Sequence, residues 1–516
     1  MSSVKLQEAR DYEQQKGTLI PDENRPVYHL TPWVGWMNDP NGFSFYDGRY
    51  HLFYQYYPFA TEWGPMHWGH AVTKDLVTWE YLPAALAPDM PYDDEGCWSG
   101  SAVELPDGRQ ALIYTGREPF INDGRQEIRQ VQCLAFGDGR DYVKYEHNPV
   151  IRSEDLPEGA SIYDFRDPKV WKDEKDGLYH MVVASRAADG CGQVLNYLSK
   201  DGISWEYKGV LDASRGEVGS MWECPDFFKM GQEAFIIASP MEMKREGEFL
   251  NYHGNAYFKG KFDEENHRFI REEIHALDFG YDFYAAQTML APDGRRILIA
   301  WMTAWENRKG REYPNGWAGM MTLPRELSVK GGHLIQTPVR EIEAYRRNPV
   351  ICNKVPVSGR IRQEGVCGRS LDLTVEVGPA WNSSYDSFEI RFAEGEIHGR
   401  YYTVILHYDK KEGLITLDRS VSGYADDVMA VRRIALCRDH QEESAREGDK
   451  SNDFPQNGPD ITFRILLDRF SAEIFINGGR YVLSSVLETD LAAEGISFVA
   501  QGDAVINIEK YEIAKL

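Results

Sequence analysis

Three carboxylates are set in motifs of one kind. Asp39 lies in WMNDPNG (36–42), Asp167 in FRDPK (165–169) and Glu223 in WECPD (222–226). Two companion motifs, CWSGSA (97–102) and DFYAAQT (282–288), have polar and aromatic residues of the same character. Carboxylates brought into one pocket can divide acid, base and nucleophilic work. Cleavage of a glycosidic bond asks for that division. One acid protonates the leaving oxygen, and a second carboxylate attacks the anomeric carbon or activates water. Retention of configuration goes with a separation of about 5–5.5 Å, so at this level the stereochemistry stays open.

Taken singly, each acid reads as a turn residue or an ion-pair partner, because Asn, Asp, Pro and Gly form turns. The neighbours suit chemistry nonetheless. Glu223 sits between Trp222 and Cys224, apolar residues that would desolvate it and favour the protonated form an acid needs. Asn38 and Asn41 flank Asp39, and their amides would keep it ionised. Arg166, beside Asp167, would hold that carboxylate charged and could bind a sugar hydroxyl. Cys224 reads as a small packing residue. Neither a metal nor another cofactor is expected. HWGH (67–70) holds two His three apart, but in a strand–turn context their rings point apart and no acid motif surrounds them. The seven Cys are odd in number and form no CxxC pair, which argues against a disulfide framework or a structural zinc site.

The elements that must position these residues are strands. From about residue 27, short Val/Ile/Tyr/Phe/Trp runs alternate with Gly, Asp, Asn and Pro turns. One pattern recurs five times, a Gly turn followed by an apolar strand, with its glycines at Gly48, Gly108, Gly177, Gly231 and Gly294. The intervals are irregular, and each is long enough for four strands and their loops. This predicts a five-bladed β-propeller over 27–345. Each polar or aromatic motif lies about one strand upstream of its Gly turn, where the innermost strand of a blade belongs. Asp39, Asp167 and Glu223 would then meet at one mouth of the central channel, from three blades.

Residues 1–26 read as an N-terminal helical extension, with a helix at 4–16 capped by Ser2 or Ser3 and ended by Gly17. The pattern fades near 345. Residues 341–359 read as a helical turn and linker, with the linker proper at 346–359, and 360–516 as an antiparallel β-sandwich. The expected fold is therefore all-β, a propeller followed by a sandwich. The charged run 438–453 reads as a solvated loop.

The formal net charge is -24. That field repels nucleic acid and anionic membrane surfaces and is indifferent to a neutral sugar. The opening MSSVKLQEARDYEQQKG has no apolar core, and no run is long enough to span a bilayer. A cytoplasmic enzyme is the expectation.

WMNDPNG, the YHLFYQYYP and MHWGHAV run, SGSAV, FRDPKVW, MWECPDFF, DFYAAQT and GWAGMMTLPREL resemble, in order, the motifs of glycoside hydrolase family 32. The resemblance covers about 27–340 and continues more weakly in LDRFSAEIFINGG. It implies a propeller plus sandwich, retention of configuration and a fructosyl-enzyme intermediate. By position, Asp39 would be the nucleophile, Glu223 the acid and then the base, and Asp167 the stabiliser that grips the fructose hydroxyls. Trp36, Asn38, Gln55, Trp63, Trp98, Ser99, Arg166 and Tyr284 would form the pocket wall, with Trp305 added by the WMTAW segment. Trp98 stands where the family often has Phe, so the leaving-group side is expected to differ. The implied activity is release of terminal β-linked fructose from sucrose or fructo-oligosaccharides. The rivals are sucrose 6-phosphate hydrolysis, fructosyl transfer, and a sugar-binding propeller without turnover.

Overall fold

The computed structural model describes residues 3–307, 314–423, 429–436 and 458–515. The charged run 438–453 lies outside them. The described chain forms two compact units. The first comprises Met1–Arg25, His29–Leu277 and Phe283–Leu327, and the second Pro26–Tyr28, Asp278–Asp282 and Ser328–Leu516.

Five sheets, each built on antiparallel hairpins, make a five-bladed propeller. Their innermost hairpin strands are Gly35–Tyr46, Cys97–Glu104, Phe165–Lys172, Met221–Met230 and Tyr284–Leu290. The glycines of the sequence repeat sit in the turn after each of these strands, at φ 73, 83, 71, 63 and 85° for Gly48, Gly108, Gly177, Gly231 and Gly294. A Cβ at any of the five would meet no atom within 4 Å. The sign of φ, not crowding, therefore demands glycine there.

Apolar cores lie between adjacent sheets. Phe53 and Trp68 of the first pack with Leu112 and Tyr114 of the second. Ile113 and Leu134 of the second pack with Phe165, Met181 and Val183 of the third. With neighbours on both faces, the second strand is an almost continuous buried run in four of the sheets, as in Leu52–Gln55, and over its first half in the second sheet. In the first sheet, Trp317–Ala318 adds a parallel strand inside Gly35–Tyr46, pairing Gly35 with Trp317 and Trp36 with Ala318.

The N-terminal helix spans Val4–Tyr12, capped by the Ser3 hydroxyl, which accepts from Leu6 N at 3.2 Å. A wider turn, Glu13–Gly17, follows it. The helix lies along the outer strand Glu80–Leu86 of the first sheet. Arg10 Nε donates to the Ala84 carbonyl at 2.9 Å, and Ala84 N donates to Glu13 Oε2 at 3.1 Å. Two side chains thus supply what a further strand would give this exposed edge.

The second unit is antiparallel and continuous. Gly495–Ile513 pairs with Tyr385–Ile397 through its first half and with Leu371–Pro379 through its second. One long strand thus belongs to both halves, bending near Gly502, whose φ is 97°. The stretch read as a linker is no linker. Arg340–Tyr345 is a short 3-10 turn, and Arg346–Ile361 is a 16-residue strand paired along Gly495–Ile513.

Candidate active site

All five innermost strands break register with their hairpin partners at the same height. The breaks fall between Met37 and Pro40, Trp98 and Gly100, Arg166 and Lys169, Glu223 and Asp226, and Tyr284 and Gln287. A bulge re-aims the side chain it carries. In three blades the bulged residue has a left-handed backbone, with φ 62° at Asp167, 50° at Cys224 and 54° at Ala285. Asp tolerates this conformation, whereas Cys and Ala adopt it at a cost, which the surrounding sheet must offset.

The bulges gather the acids. Asp39 accepts from Ser99 Oγ at 2.7 Å, from Asn38 Nδ2 at 3.0 Å and from the Cys224 thiol at 3.4 Å. Asp167 accepts from Cys224 N at 2.9 Å, and the same thiol lies 3.6 Å from its Oδ2. Glu223 is held on both oxygens. Arg166 Nε donates to Oε1 at 3.0 Å and the Tyr284 hydroxyl to Oε2 at 2.5 Å. Arg166 also donates to Asp164 at 2.8 Å.

Burial raises the pKa of Asp39, and the Glu223 charge adds to it, against the hydrogen bonds from Ser99, Asn38 and Cys224. Burial likewise pushes Asp167 up to about 7. Arg166 opposes this, while the charges of Glu223 and Asp39 reinforce it. Crowded carboxylates of one sign resist joint ionisation. The Cys224 thiol is pushed up by burial and then by Asp167 and Asp39, and so stays protonated and able to donate.

The expected neighbours divide unevenly. Trp222 does not cover Glu223. Its indole donates to the Val218 carbonyl and stacks on Phe258 at 4.6 Å, because alternation along the strand turns it into the blade core. Cys224 turns to the two aspartates instead. Asn41 does not reach Asp39, since its Oδ1 accepts from Gly100 N at 3.3 Å. Arg166 is bonded to Glu223 and Asp164 and not to Asp167.

The wall residues fall into an inner and an outer set. Trp36 is 2% exposed and supports Asn38, donating through Nε1 to its Oδ1 at 2.8 Å. Gln55 is buried and donates to the Cys97 carbonyl at 3.0 Å. Tyr284 is buried against Glu223. Trp305 packs edge-on to Trp301 at 5.0 Å, in the cluster that also holds Trp36, Tyr284 and Cys224. Trp98 is half-buried, and Trp63, 39% exposed, stands edge-on to it at 6.3 Å. His67 and His70 are buried. Burial pushes His67 down to about 4, and His70 stacks on Phe53 at 4.0 Å.

Three further residues support the acids. Cys224, which by its sequence context reads as packing, donates to Asp39. Thr115 Oγ1 accepts from Asp167 N at 3.0 Å, and Asp164 holds Arg166. Asp164 had a signal, because DFR puts it two residues from Arg166, on the same strand face. Thr115 had none, since it lies in a different strand.

A five-bladed propeller whose bulged inner strands gather two aspartates and a glutamate, the latter flanked by a phenol and a guanidinium, has the architecture of a glycoside hydrolase. The model of the glycosyl hydrolases family 32 N-terminal domain matches residues 29–338, and that of the family 32 C-terminal domain matches residues 341–515. The chain is 38% identical to a sucrose-6-phosphate hydrolase of Zymomonas mobilis subsp. mobilis, covering 97% of this chain and 94% of that protein. It is 37% identical to a raffinose invertase of Escherichia coli, covering 93% of each. A mutant of the Bombyx mori GH32 beta-fructofuranosidase, solved in complex with sucrose, is similar at TM-score 0.80 and 31% identity, covering 100% of this chain and 99% of that one. The chain belongs to glycoside hydrolase family 32.

Proposed function

We propose that the protein is a retaining β-fructofuranosidase that releases terminal β-D-fructose from sucrose and short fructo-oligosaccharides by double displacement. The Asp39 carboxylate forms a bond to the anomeric carbon of fructose while the bond to the aldose oxygen breaks. Glu223 gives its proton to that oxygen. Water then attacks the fructosyl ester, its proton returns to Glu223, and Asp39 is freed as carboxylate. Asp167 accepts hydrogen bonds from the fructose hydroxyls throughout.

The observation that carries this reading is one thiol within 3.6 Å of both aspartates, on the residue that follows Glu223. It ties the proposed nucleophile, stabiliser and acid into one cluster. Tyr284 and Arg166 orient Glu223 for proton transfer. The sucrose bound to the Bombyx mori relative supports the substrate class.

No helix among the described residues is long and apolar enough to cross a membrane. We place the enzyme in the cytoplasm. The likeness to a sucrose-6-phosphate hydrolase supports this, since a phosphorylated sugar crosses a bilayer poorly unaided.

The test is a hydrolysis screen on sucrose, sucrose 6-phosphate, kestose, inulin and levan, with the first-formed fructose anomer read by NMR. Initial release of β-fructofuranose from sucrose is expected. Initial release of the α-anomer, or no turnover of any of the five, would overturn the reading.

A further inference from the structure

Arg117 stands at the edge of the acid cluster, and the mechanism above does not use it. It lies on the strand Gln110–Asn122 of the second blade. Its backbone is fixed from two sides, with Arg117 N donating to the Gly96 carbonyl at 3.2 Å and Glu95 N to the Arg117 carbonyl at 3.4 Å. Its guanidinium lies 4.6 Å over the Trp98 ring. Ser99, the next residue after Trp98, is one of the donors to Asp39. Trp98 in turn meets the exposed Trp63.

Two arginines approach this indole, and their charges are treated differently. Arg166, 5.9 Å from the ring, is neutralised by Asp164 and Glu223. Arg117 has no carboxylate within 4.0 Å among the described residues. Its hydrogen-bond partner is the backbone carbonyl of Glu95, at 3.4 Å. Half-buried and stacked on an aromatic face, it holds a positive charge at the rim of a site otherwise dominated by acids. In a chain of net charge -24, that is a local inversion of the field.

We propose that Arg117 is a specificity-determining residue that binds an anionic phosphate on the aldose the enzyme expels, so that a phosphorylated β-fructofuranoside is preferred over its neutral counterpart. The inference rests on the fructosidase reading and deepens it. The phosphate is assigned to the aldose for an electrostatic reason. A phosphate on the fructose ring would lie among Asp39, Asp167 and Glu223, where its charge is repelled. On the departing sugar it would lie outside the acid cluster, and the partly exposed Trp98 and Trp63 mark the rim where Arg117 stands. A planar guanidinium pre-oriented on an indole suits a phosphate, which it can meet with two parallel N–H donors. Lys presents a point charge and forfeits the fork.

The test compares kcat/KM on sucrose 6-phosphate and on sucrose for wild type, Arg117→Met and Arg117→Lys, at low and at physiological ionic strength. The wild type is expected to prefer the phosphorylated substrate. In Arg117→Met the ratio of the two kcat/KM values should fall by on the order of 10- to 100-fold, the worth of hydrogen bonds to a charged group. Arg117→Lys should recover part of the ratio, and the wild-type preference should shrink with salt. Turnover of sucrose with no wild-type preference, or an equal fall on both substrates in Arg117→Met, would overturn this inference and leave the fructosidase reading standing. Absence of turnover on both substrates would overturn this inference, and the fructosidase reading with it if kestose, inulin and levan are also left intact.

Discussion

Asp39 and Glu223 are assigned different work, so their loss should read differently. Asp39→Ala should abolish turnover of every fructoside, because attack on the anomeric carbon precedes every product. Glu223→Ala should lose most on poor leaving groups. On a fructoside with an activated aryl leaving group it should retain far more activity than on sucrose, by about the 10²–10⁴-fold that general acid catalysis supplies. Equal losses for both variants on both substrates would refute the division of labour. Asp167 adds a pH test. Burial and two neighbouring carboxylates lift it to about 7, so it takes a proton as pH falls through that value, and the ionised form that would grip the hydroxyls is present above it. In Glu223→Gln one raising charge is gone. The acid limb of kcat/KM, read with the aryl fructoside, should then move to lower pH, and an unmoved limb would rule out Asp167 as its source. The three acids were legible because identical motif placement in a repeat puts them at one phase. Their partners were not. A bulge reverses which way Cys224 faces relative to simple alternation, and adjacency in sequence put Arg166 with Asp167 when its guanidinium reaches Glu223 and Asp164.

At the scale of elements, the N-terminal helix covers the outer edge of the first blade. Its Glu13 is 7% exposed, and burial raises its pKa from 4.5 to about 7, against the hydrogen bond from Ala84 N. The folded state therefore binds this proton more tightly than the unfolded chain does. The resulting stability is fully present below about pH 4.5 and is lost as pH rises through about 7, a swing of about 3 kcal/mol at about 1.4 kcal/mol per pKa unit. Glu13→Gln keeps an acceptor for Ala84 N and cannot ionise. Its apparent Tm should match the wild type near pH 4.5 and exceed it near pH 8. Parallel curves across that range would show that Glu13 does not titrate as described. The five blade turns were readable because positive φ selects glycine. The strand Arg346–Ile361 was not, because most of its side chains are exposed and it is held by backbone pairing. Backbone hydrogen bonds leave no mark on residue type.

For the whole molecule, the second unit claims a segment from the middle of the propeller sequence. Phe279 N donates to the Val482 carbonyl and Tyr281 N to the Ser484 carbonyl, at 2.8 and 2.9 Å. Arg419 pairs with Asp282 at 2.5 Å, both fully buried. Arg419→Met should cost roughly 3–5 kcal/mol, the penalty for stranding a buried charge. The double variant with Asp282→Asn should recover much of that loss, as chemical denaturation would show. A double variant no more stable than Arg419→Met would mean that the pair is not coupled. Segments of three and five residues have no periodicity, so Pro26–Tyr28 and Asp278–Asp282 could not be assigned to the second unit by inspection. The parallel pairing of Trp317–Ala318 with Gly35–Trp36 bears on synthesis. The ribosome delivers the Asp39 strand near the start of the first unit, but the strand that completes its inner edge emerges only after all five inner strands. The Asp39 strand is thus the first of the five to be translated and waits longest for its neighbour, and a nascent chain holding all three acids still lacks the hydrogen bonds that complete that strand's inner edge.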